Sequence, residues 1–177
     1  MSEIKNTYTI SIYTENNLGL LNRISAIFLK RHISIESLTT SQSEIENIFR
    51  FVIVVSITKP SVGRVVKQIE KQIEVIAAFY HSNEETIYLE TALYKVKSKS
   101  LFNEKNIQKI IKNSQANIVT VSPDYFVIEK TGWRKDTEKL YDELEPYGLL
   151  QFVRSGRISV TKEPMNISNI LGLNTDK

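Results

Sequence analysis

The chain has 177 residues, with 23 Lys and Arg against 20 Asp and Glu, and it contains no cysteine. This length suits one domain or two small ones, and the net charge of +3 is spread along the chain, so nothing demands nucleic acid or a membrane surface as a partner. The missing cysteine excludes disulfides, thiolate nucleophiles and cysteine metal sites. A polar N-terminus and the lack of long apolar runs predict neither a signal peptide nor a membrane span, so we expect a cytoplasmic protein.

The first half of the chain predicts the element order β-α-β-β-α-β. Apolar residues alternate where we predict strands and recur every three or four positions where we predict helices. The predicted elements are a strand at Tyr8–Tyr13, a helix at Leu20–Arg31, a strand at Ile33–Thr40, a polar connection at Ser41–Asn47, a strand at Ile48–Thr58, a helix at Ser61–Ile73 and a strand at Glu74–Tyr80. This order is that of a ferredoxin-like domain.

The strand at Ile48–Thr58 is apolar on both faces, so its sheet needs a covering partner on each side. The same strand must be weighed as the base-stacking strand of an RNA-binding module. Phe49 and Phe51 share a face with Ile53, which is typical of a core, and no Lys/Arg-Gly opening precedes them. The pattern therefore favours a packed strand over RNA binding.

The second half repeats this order with a different sequence. The predicted elements are strands at Ile87–Val96, Asn117–Ser122, Tyr125–Lys130, Leu149–Val153 and Arg157–Val160, with helices at Asn106–Ile111 and Trp133–Leu144. We therefore predict an α+β protein of two ferredoxin-like βαββαβ domains, residues 1–82 and 83–162, joined near His81–Glu85. Residues 163–177 are expected to form a loose tail, in which Ile167, Ile170 and Leu171 offer apolar side chains for docking.

Few residues suggest catalysis or metal binding. The only histidines are His32 and His81, and each is interpreted as structural, His32 because a polar or cationic residue suits a helix end. The chain has no P-loop and no dinucleotide fingerprint. An acylphosphatase-like anion cradle is also missing after the first strand. We predict no catalytic residue and no metal ligand.

The turn between the first strand and the first helix has a chemistry of its own. Asn17 is a favourable N-cap residue, and Gly19 has no side chain to screen the backbone N–H groups of the first helical turn. Exposed N–H groups at the positive end of a helix dipole suit a carboxylate or a phosphate. On these residues alone, an ordinary capped turn is the equal alternative.

This turn, Glu15 to Ile24, and the following run Ile35–Thr39 together resemble the N-terminal ACT domain of acetolactate synthase (acetohydroxyacid synthase) small subunits. The Ile-Glu-Ser-Leu-Thr run is the more specific half, because generic ACT domains share only the turn. Gln68–Ile73 is similar to the second helix of that family, and Pro123–Glu129 and Phe152–Gly156 resemble its C-terminal domain. The resemblance covers roughly residues 6 to 162.

The resemblance implies a non-catalytic regulatory subunit of branched-chain amino acid biosynthesis. Such a subunit activates a separate large catalytic subunit, which carries thiamine diphosphate, Mg²⁺ and FAD, and it mediates feedback inhibition by a branched-chain amino acid such as valine. No cofactor is expected on this chain. The implied effector site lies at a homodimer interface and consists of the turn residues of one copy and the start of the second strand of the other, namely Asn16, Asn17, Leu18, Gly19 and Leu20 with Ser34 and Ile35.

Ser34 departs from the family pattern, which usually has Asn at this position. A hydroxyl is shorter than an amide and cannot both donate and accept over the same distance. The identity of the effector therefore stays open, and Ser34 is equally interpretable as a plain strand-entry residue. The alternative function is a free-standing amino-acid-responsive regulator of another protein, such as a transcription factor or a transporter.

Overall fold

The structure is a computed structural model that describes residues 4–103, 105–170 and 172. It divides the chain into two units, of which the second is Leu89–Gly156 and the first contains the residues on both sides of it. The predicted limits at 82 and 162 differ from this division, since residues 83–88 and those from Arg157 onward group with the first unit. Leu171, part of the predicted tail, lies outside the described residues.

The first unit has the predicted order of strands and helices. Its elements are β1 (Asn6–Glu15), α1 (Leu20–Leu29), β2 (Ile35–Gln42), β3 (Ile48–Ile57), α2 (Lys59–Ile69) and β4 (Val75–Ser82). The four strands form an antiparallel sheet in the order β2-β3-β1-β4. This is the ferredoxin-like arrangement, as predicted.

One face of this sheet packs against the two helices. Alternate residues of β1, such as Ile10 and Ile12, point to that side because successive strand residues face opposite ways. They form a core with Phe28 of α1 and Val65 of α2, and all four are almost fully buried. Phe51 lies in the same core, as the strand pattern indicated.

Three details of the two helices differ from the prediction. The first helix ends at Leu29 rather than Arg31, because His32 adopts a positive φ of 53° and the chain turns. The second begins at Lys59, with Pro60 inside its first turn, where a missing N–H breaks no helical hydrogen bond. Ile73 was predicted on the apolar face of this helix, which was wrong: the helix ends at Ile69 and Ile73 is 97% exposed.

The second unit repeats the topology. Most of β5 (Thr86–Lys97) belongs to it, followed by α3 (Ser98–Asn103), α4 (Lys105–Asn113), β6 (Asn117–Val121), β7 (Tyr125–Gly132), α5 (Arg134–Leu144) and β8 (Leu149–Arg154), with strand order β6-β7-β5-β8. The short α3 was not predicted. The core contains Tyr94, whose hydroxyl donates to the Thr137 carbonyl at 2.6 Å. Burial raises the pKa of Tyr94, so this donor stays protonated.

The second face of the first sheet is covered by the end of the chain. We define the C-terminal segment as Arg157–Ile170, which contains β9 (Ile158–Thr161) and α6 (Ile167–Ile170). Ile167 is 9% exposed and forms a small cluster with Tyr13 and Ile48. The predicted second cover is therefore supplied partly by the strand expected at Arg157–Val160 in the second domain and partly by residues 163–170, which were expected to belong to a loose tail.

Arg157 attaches the C-terminal segment to the sheet. Its Nη1 donates to Thr9 Oγ1 at 3.0 Å and to Asn83 Oδ1 at 2.8 Å, and its guanidinium lies 3.8 Å from the centroid of the Tyr88 ring. Its backbone N–H donates to Ser37 Oγ at 3.2 Å. Charged donors to buried oxygens form the stronger class of hydrogen bond, which accounts for Arg157 grouping with the first unit.

Candidate effector site

The turn after β1 is exposed along its whole length. The strand ends where the Glu15 N–H donates to the Glu74 carbonyl at 3.0 Å, and residues 16–19 that follow are all exposed. Leu18 is 97% exposed, whereas Leu20 is 2% exposed and belongs to the core. The side chain of Leu20 therefore anchors the helix, and only its backbone is near the surface of the turn.

The helix cap differs from the prediction. Asn17 was expected as the N-cap, but Gly19 occupies that position with φ 85°, and no side chain caps the helix. Asn17 participates through its carbonyl, which accepts the Leu20 N–H at 3.4 Å. A positive φ costs a glycine nothing, so the physical reason for Gly19 is backbone conformation as well as open space.

Backbone donors are free at this helix start. Within the described residues, the N–H groups of Leu21 and Asn22 have no hydrogen-bond acceptor, as expected for the first turn of a helix without a side-chain cap. The first turn contains no acidic residue, and a Cβ placed on Gly19 would meet no heavy atom within 4 Å. An anionic group would therefore find donors and space here.

The one cation in the first turn of α1 already has an anionic partner. Arg23, in the first turn of α1, forms an ion pair with Glu74, so its guanidinium is already neutralised. The attraction for an anion then comes from the helix N-terminus itself.

Ser34 and Ile35 are far from the turn of the same chain. Ile35 pairs with Val55, and Val55 pairs with Tyr8 of β1. The turn follows Glu15, seven residues further along β1, which corresponds to about 24 Å at about 3.4 Å per residue. The structure thus brings the five turn residues together but places Ser34, which is exposed, and Ile35 at the opposite end of the sheet.

Sequence reasoning passed over two arginines. Arg50 interrupts the apolar strand β3, and Arg157 follows Gly156; both reach buried oxygens, Arg50 at the Ser159 carbonyl and Arg157 at Thr9. For Arg50 the available signal was a lone cation within a strand whose other residues are apolar apart from Ser56. Because a buried cation needs compensation, such a residue marks a special environment.

The described residues contain neither a membrane-spanning helix nor a cluster of metal ligands. No helix there is long and apolar enough to cross a membrane. No group of three or more His, Asp or Glu residues among them is arranged to hold a metal ion.

Comparison with known proteins identifies the family of both halves. Residues 10–77 match the family described as AHAS small subunit-like ACT domain, and residues 89–163 match the family described as small subunit of acetolactate synthase. The acetolactate synthase small subunit of Mycobacterium bovis is 32% identical over 161 residues, which are 91% of this chain and 95% of that protein. That of Bacillus subtilis is 35% identical over 148 residues, 83% of this chain and 86% of that protein.

A solved structure has the same fold. The acetolactate synthase small subunit from Thermotoga maritima superposes with a TM-score of 0.81 at 23% identity, over 90% of this chain and 99% of that one. The solved structure supports the fold, whereas the sequence relatives support membership of the family, because they match over most of both chains. The chain belongs to the acetolactate synthase small subunit family.

Proposed function

We propose that this chain binds and activates a separate catalytic subunit of acetolactate synthase and makes it sensitive to a branched-chain amino acid, with valine as the first candidate. The observation that carries the proposal is the uncapped helix start at Gly19, in a chain whose two halves both match the family. Thiamine diphosphate, Mg²⁺ and FAD are assigned to the catalytic subunit. Their chemistry is outside this chain, which contributes regulation.

The effector site comprises Asn16, Asn17, Leu18, Gly19 and the backbone of Leu20. The amino-acid carboxylate binds the free N–H groups of Leu21 and Asn22, and side-chain oxygens of the asparagines accept from the ammonium group. Leu18, which is almost fully exposed, supplies an apolar contact. These roles match the three chemical parts of a branched-chain amino acid.

A second copy of the chain completes the site. β2 is an edge strand that pairs only with β3 within the described sheet, and it runs parallel to β1. Antiparallel pairing of two β2 strands about a two-fold axis brings the start of one β2 to the end of the sheet where the other copy's turn lies. Ser34 and Ile35 of the second copy thereby approach Gly19, although they are about 24 Å away within one copy.

Binding magnitudes support a site enclosed by two chains. Burying a valine side chain contributes about 1.5 to 3 kcal/mol, and a carboxylate at a helix N-terminus contributes about 0.3 to 1 kcal/mol. Together these give less than the roughly 4.1 kcal/mol that corresponds to a millimolar dissociation constant. An open turn therefore provides too little binding free energy, and enclosure of the ligand between two chains supplies the rest.

Reconstitution tests the proposal. The purified chain is added to its cognate catalytic subunit, and acetolactate formation is measured with and without valine, leucine or isoleucine. We expect a higher rate on addition of the chain and lower activity when one of the three amino acids is present. An unchanged rate with the cognate subunit would overturn the proposal, and retrieval of a transcription factor or transporter in a pull-down would favour the free-standing regulator.

A further inference from the structure

A cavity of 140 Å³ lies between the first sheet and the C-terminal segment. Its polar lining includes Ser11, Tyr13, Arg50 and His81, and its apolar walls include Phe79 and Ile167. These residues belong to neighbouring strands, since Tyr13 pairs with Arg50 and Ser11 pairs with Phe79. The cavity exceeds the roughly 30 Å³ that one water occupies in the liquid, so it has room for a small molecule.

Arg50 is the cation of this cavity and has no anionic partner. Its Nη2 donates to Ser11 Oγ at 3.1 Å and to the Ser159 carbonyl at 2.8 Å, both of which are neutral acceptors. Its Nε is shut off from solvent without an acceptor, and no carboxylate of the described residues forms an ion pair with it. A partly buried charge without a counter-charge is unfavourable, and an anion in the cavity would relieve this.

The remaining groups suit a carboxylate with a short apolar part. Burial raises the pKa of Tyr13, against the opposing effect of Arg50, so its hydroxyl stays protonated and is a donor; no described residue accepts from it. His81 supplies a further polar group. Glu44 and Thr161 also line the cavity. Glu44 is exposed, and its charge adds to the effect of burial in raising the pKa of Tyr13, so it keeps the hydroxyl protonated while opposing an anion on its own side of the cavity.

We propose that this cavity binds a short-chain monocarboxylate, with its carboxylate at Arg50 and Tyr13 and its alkyl part against Phe79 and Ile167. One guanidinium compensates one negative charge, which favours a monoanion over phosphate, and the apolar walls favour carbon over further oxygens. Ser159, which accepts from Arg50, and Ile167 lie on the C-terminal segment, so an occupied cavity also holds this segment on the sheet. The site is separate from the turn at Gly19.

Calorimetric titration of the full chain with sodium acetate, propionate and butyrate tests this inference, with inorganic phosphate as the contrasting anion. We expect saturable binding of at least one carboxylate and weaker or no binding of phosphate. Arg50→Gln is expected to lower the affinity for the carboxylate by at least about tenfold. Tyr13→Phe keeps the ring in place and is expected to lower the carboxylate affinity about threefold. This variant keeps the inference testable if the Arg50 variant unfolds.

Two control variants separate this cavity from other anion sites. Arg64→Gln removes one positive charge from an exposed position on α2 and should leave the affinity unchanged. Gly19→Asp removes any carboxylate binding at the proposed effector turn, so saturable binding that persists in this variant belongs to the cavity and does not depend on the proposed function. Absence of carboxylate binding, preference for phosphate, or equal affinity in Arg50→Gln would overturn the inference and leave Arg50 as an anchor for Ser159.

Discussion

At the scale of single residues, Gly19 combines two properties that are separable by mutation. Its φ of 85° disfavours most side chains, while the space around it is open. Asn and Asp tolerate this conformation better than other residues do, and they have nearly the same size. Comparing the two therefore isolates charge from backbone strain.

We predict that Gly19→Asp abolishes amino-acid inhibition and preserves activation of the catalytic subunit. The introduced carboxylate would lie where we propose that the effector's carboxylate binds, and two like charges about 4 Å apart near a protein surface repel by about 4 kcal/mol. The inhibitory concentration should rise more than about a hundredfold. Acetolactate formation, measured over a valine series, gives both quantities.

Gly19→Asn is the matched control for that substitution. It adds the same bulk at the same φ without a charge, so inhibition should weaken by no more than about tenfold. If both variants stay as inhibitable as the unmodified chain, the effector binds elsewhere. If both lose inhibition equally, bulk or strain and not charge is the cause.

Glu85 gives a pH-dependent contribution to stability. It is the last residue of a short 3-10 turn in which the Ser82 N–H donates to its carboxylate at 2.6 Å. This bond, with a further one to the Ser82 side chain, holds the pKa of Glu85 below its usual value, and His81 and Lys59 act in the same direction. The stabilisation is therefore complete above the carboxyl's ordinary pKa and is lost as the pH falls through the lowered one.

We predict that Glu85→Ala destabilises the chain by about 0.5 to 1 kcal/mol at neutral pH, as for loss of a capping interaction. The difference from the unmodified chain should shrink on acidification below about pH 4, where the carboxyl becomes protonated. Urea unfolding at a series of pH values measures this difference in the free energy of unfolding. Glu85→Gln keeps an acceptor that cannot titrate, so its stability relative to Glu85→Ala should not change over this range.

At the scale of elements, the C-terminal segment depends on Arg157 for its attachment. Arg157 is 7% exposed, and its contacts with Thr9, Asn83 and Tyr88 all lie in the first unit. A glutamine is too short to make them together. The segment should therefore loosen before the sheet itself unfolds.

We predict that Arg157→Gln destabilises the first unit by about 1.5 to 3 kcal/mol, the range for hydrogen bonds to charged groups. Hydrogen exchange followed by mass spectrometry should show faster exchange in residues 158–170, with little change in α1 and α2. Arg64→Gln, at an exposed site, should stay within about 0.5 kcal/mol of the unmodified chain. Exchange that is unchanged in 158–170 would contradict the role of Arg157.

The limits of sequence reasoning follow the range of the interactions involved. Helices with a clear apolar stripe and strands with alternation were located, because their signals are local. The two apolar faces of β3 indicated that a second cover was needed, but which segment supplies it depends on contacts between residues more than a hundred positions apart, such as Arg157 with Ser37. The short α3 has too few residues for a periodic signal.

The candidate site was predictable to a similar degree. The residue types of the turn indicated a helix start open to an anion, but the choice between Asn17 and Gly19 as the cap depends on φ, which the sequence gives only as a preference. The separation of Ser34 from the turn follows from strand register. Register is a property of the folded sheet, and it is the reason why the proposed site requires a second copy of the chain.

At the scale of the whole molecule, effector binding and self-association should be coupled. If the site exists only between two copies, then the amino acid binds the dimer and not the monomer. Each site occupied at about 100 times the dissociation constant then adds about 2.7 kcal/mol to the stability of the dimer. The coupling is reciprocal, so dilution of the protein should weaken the apparent affinity for the amino acid.

We predict that valine, or whichever branched-chain amino acid inhibits, shifts this chain from monomer towards dimer in sedimentation velocity runs at low protein concentration. Gly19→Asp should associate as the ligand-free chain does and show no shift, because its turn repels the carboxylate, whereas Gly19→Asn should retain most of the response. If the amino acid does not change the proportions of monomer and dimer, although the chain still confers inhibition, the entire site lies within one copy. In that case the roughly 24 Å between Ser34 and the turn would exclude Ser34 and Ile35 from it.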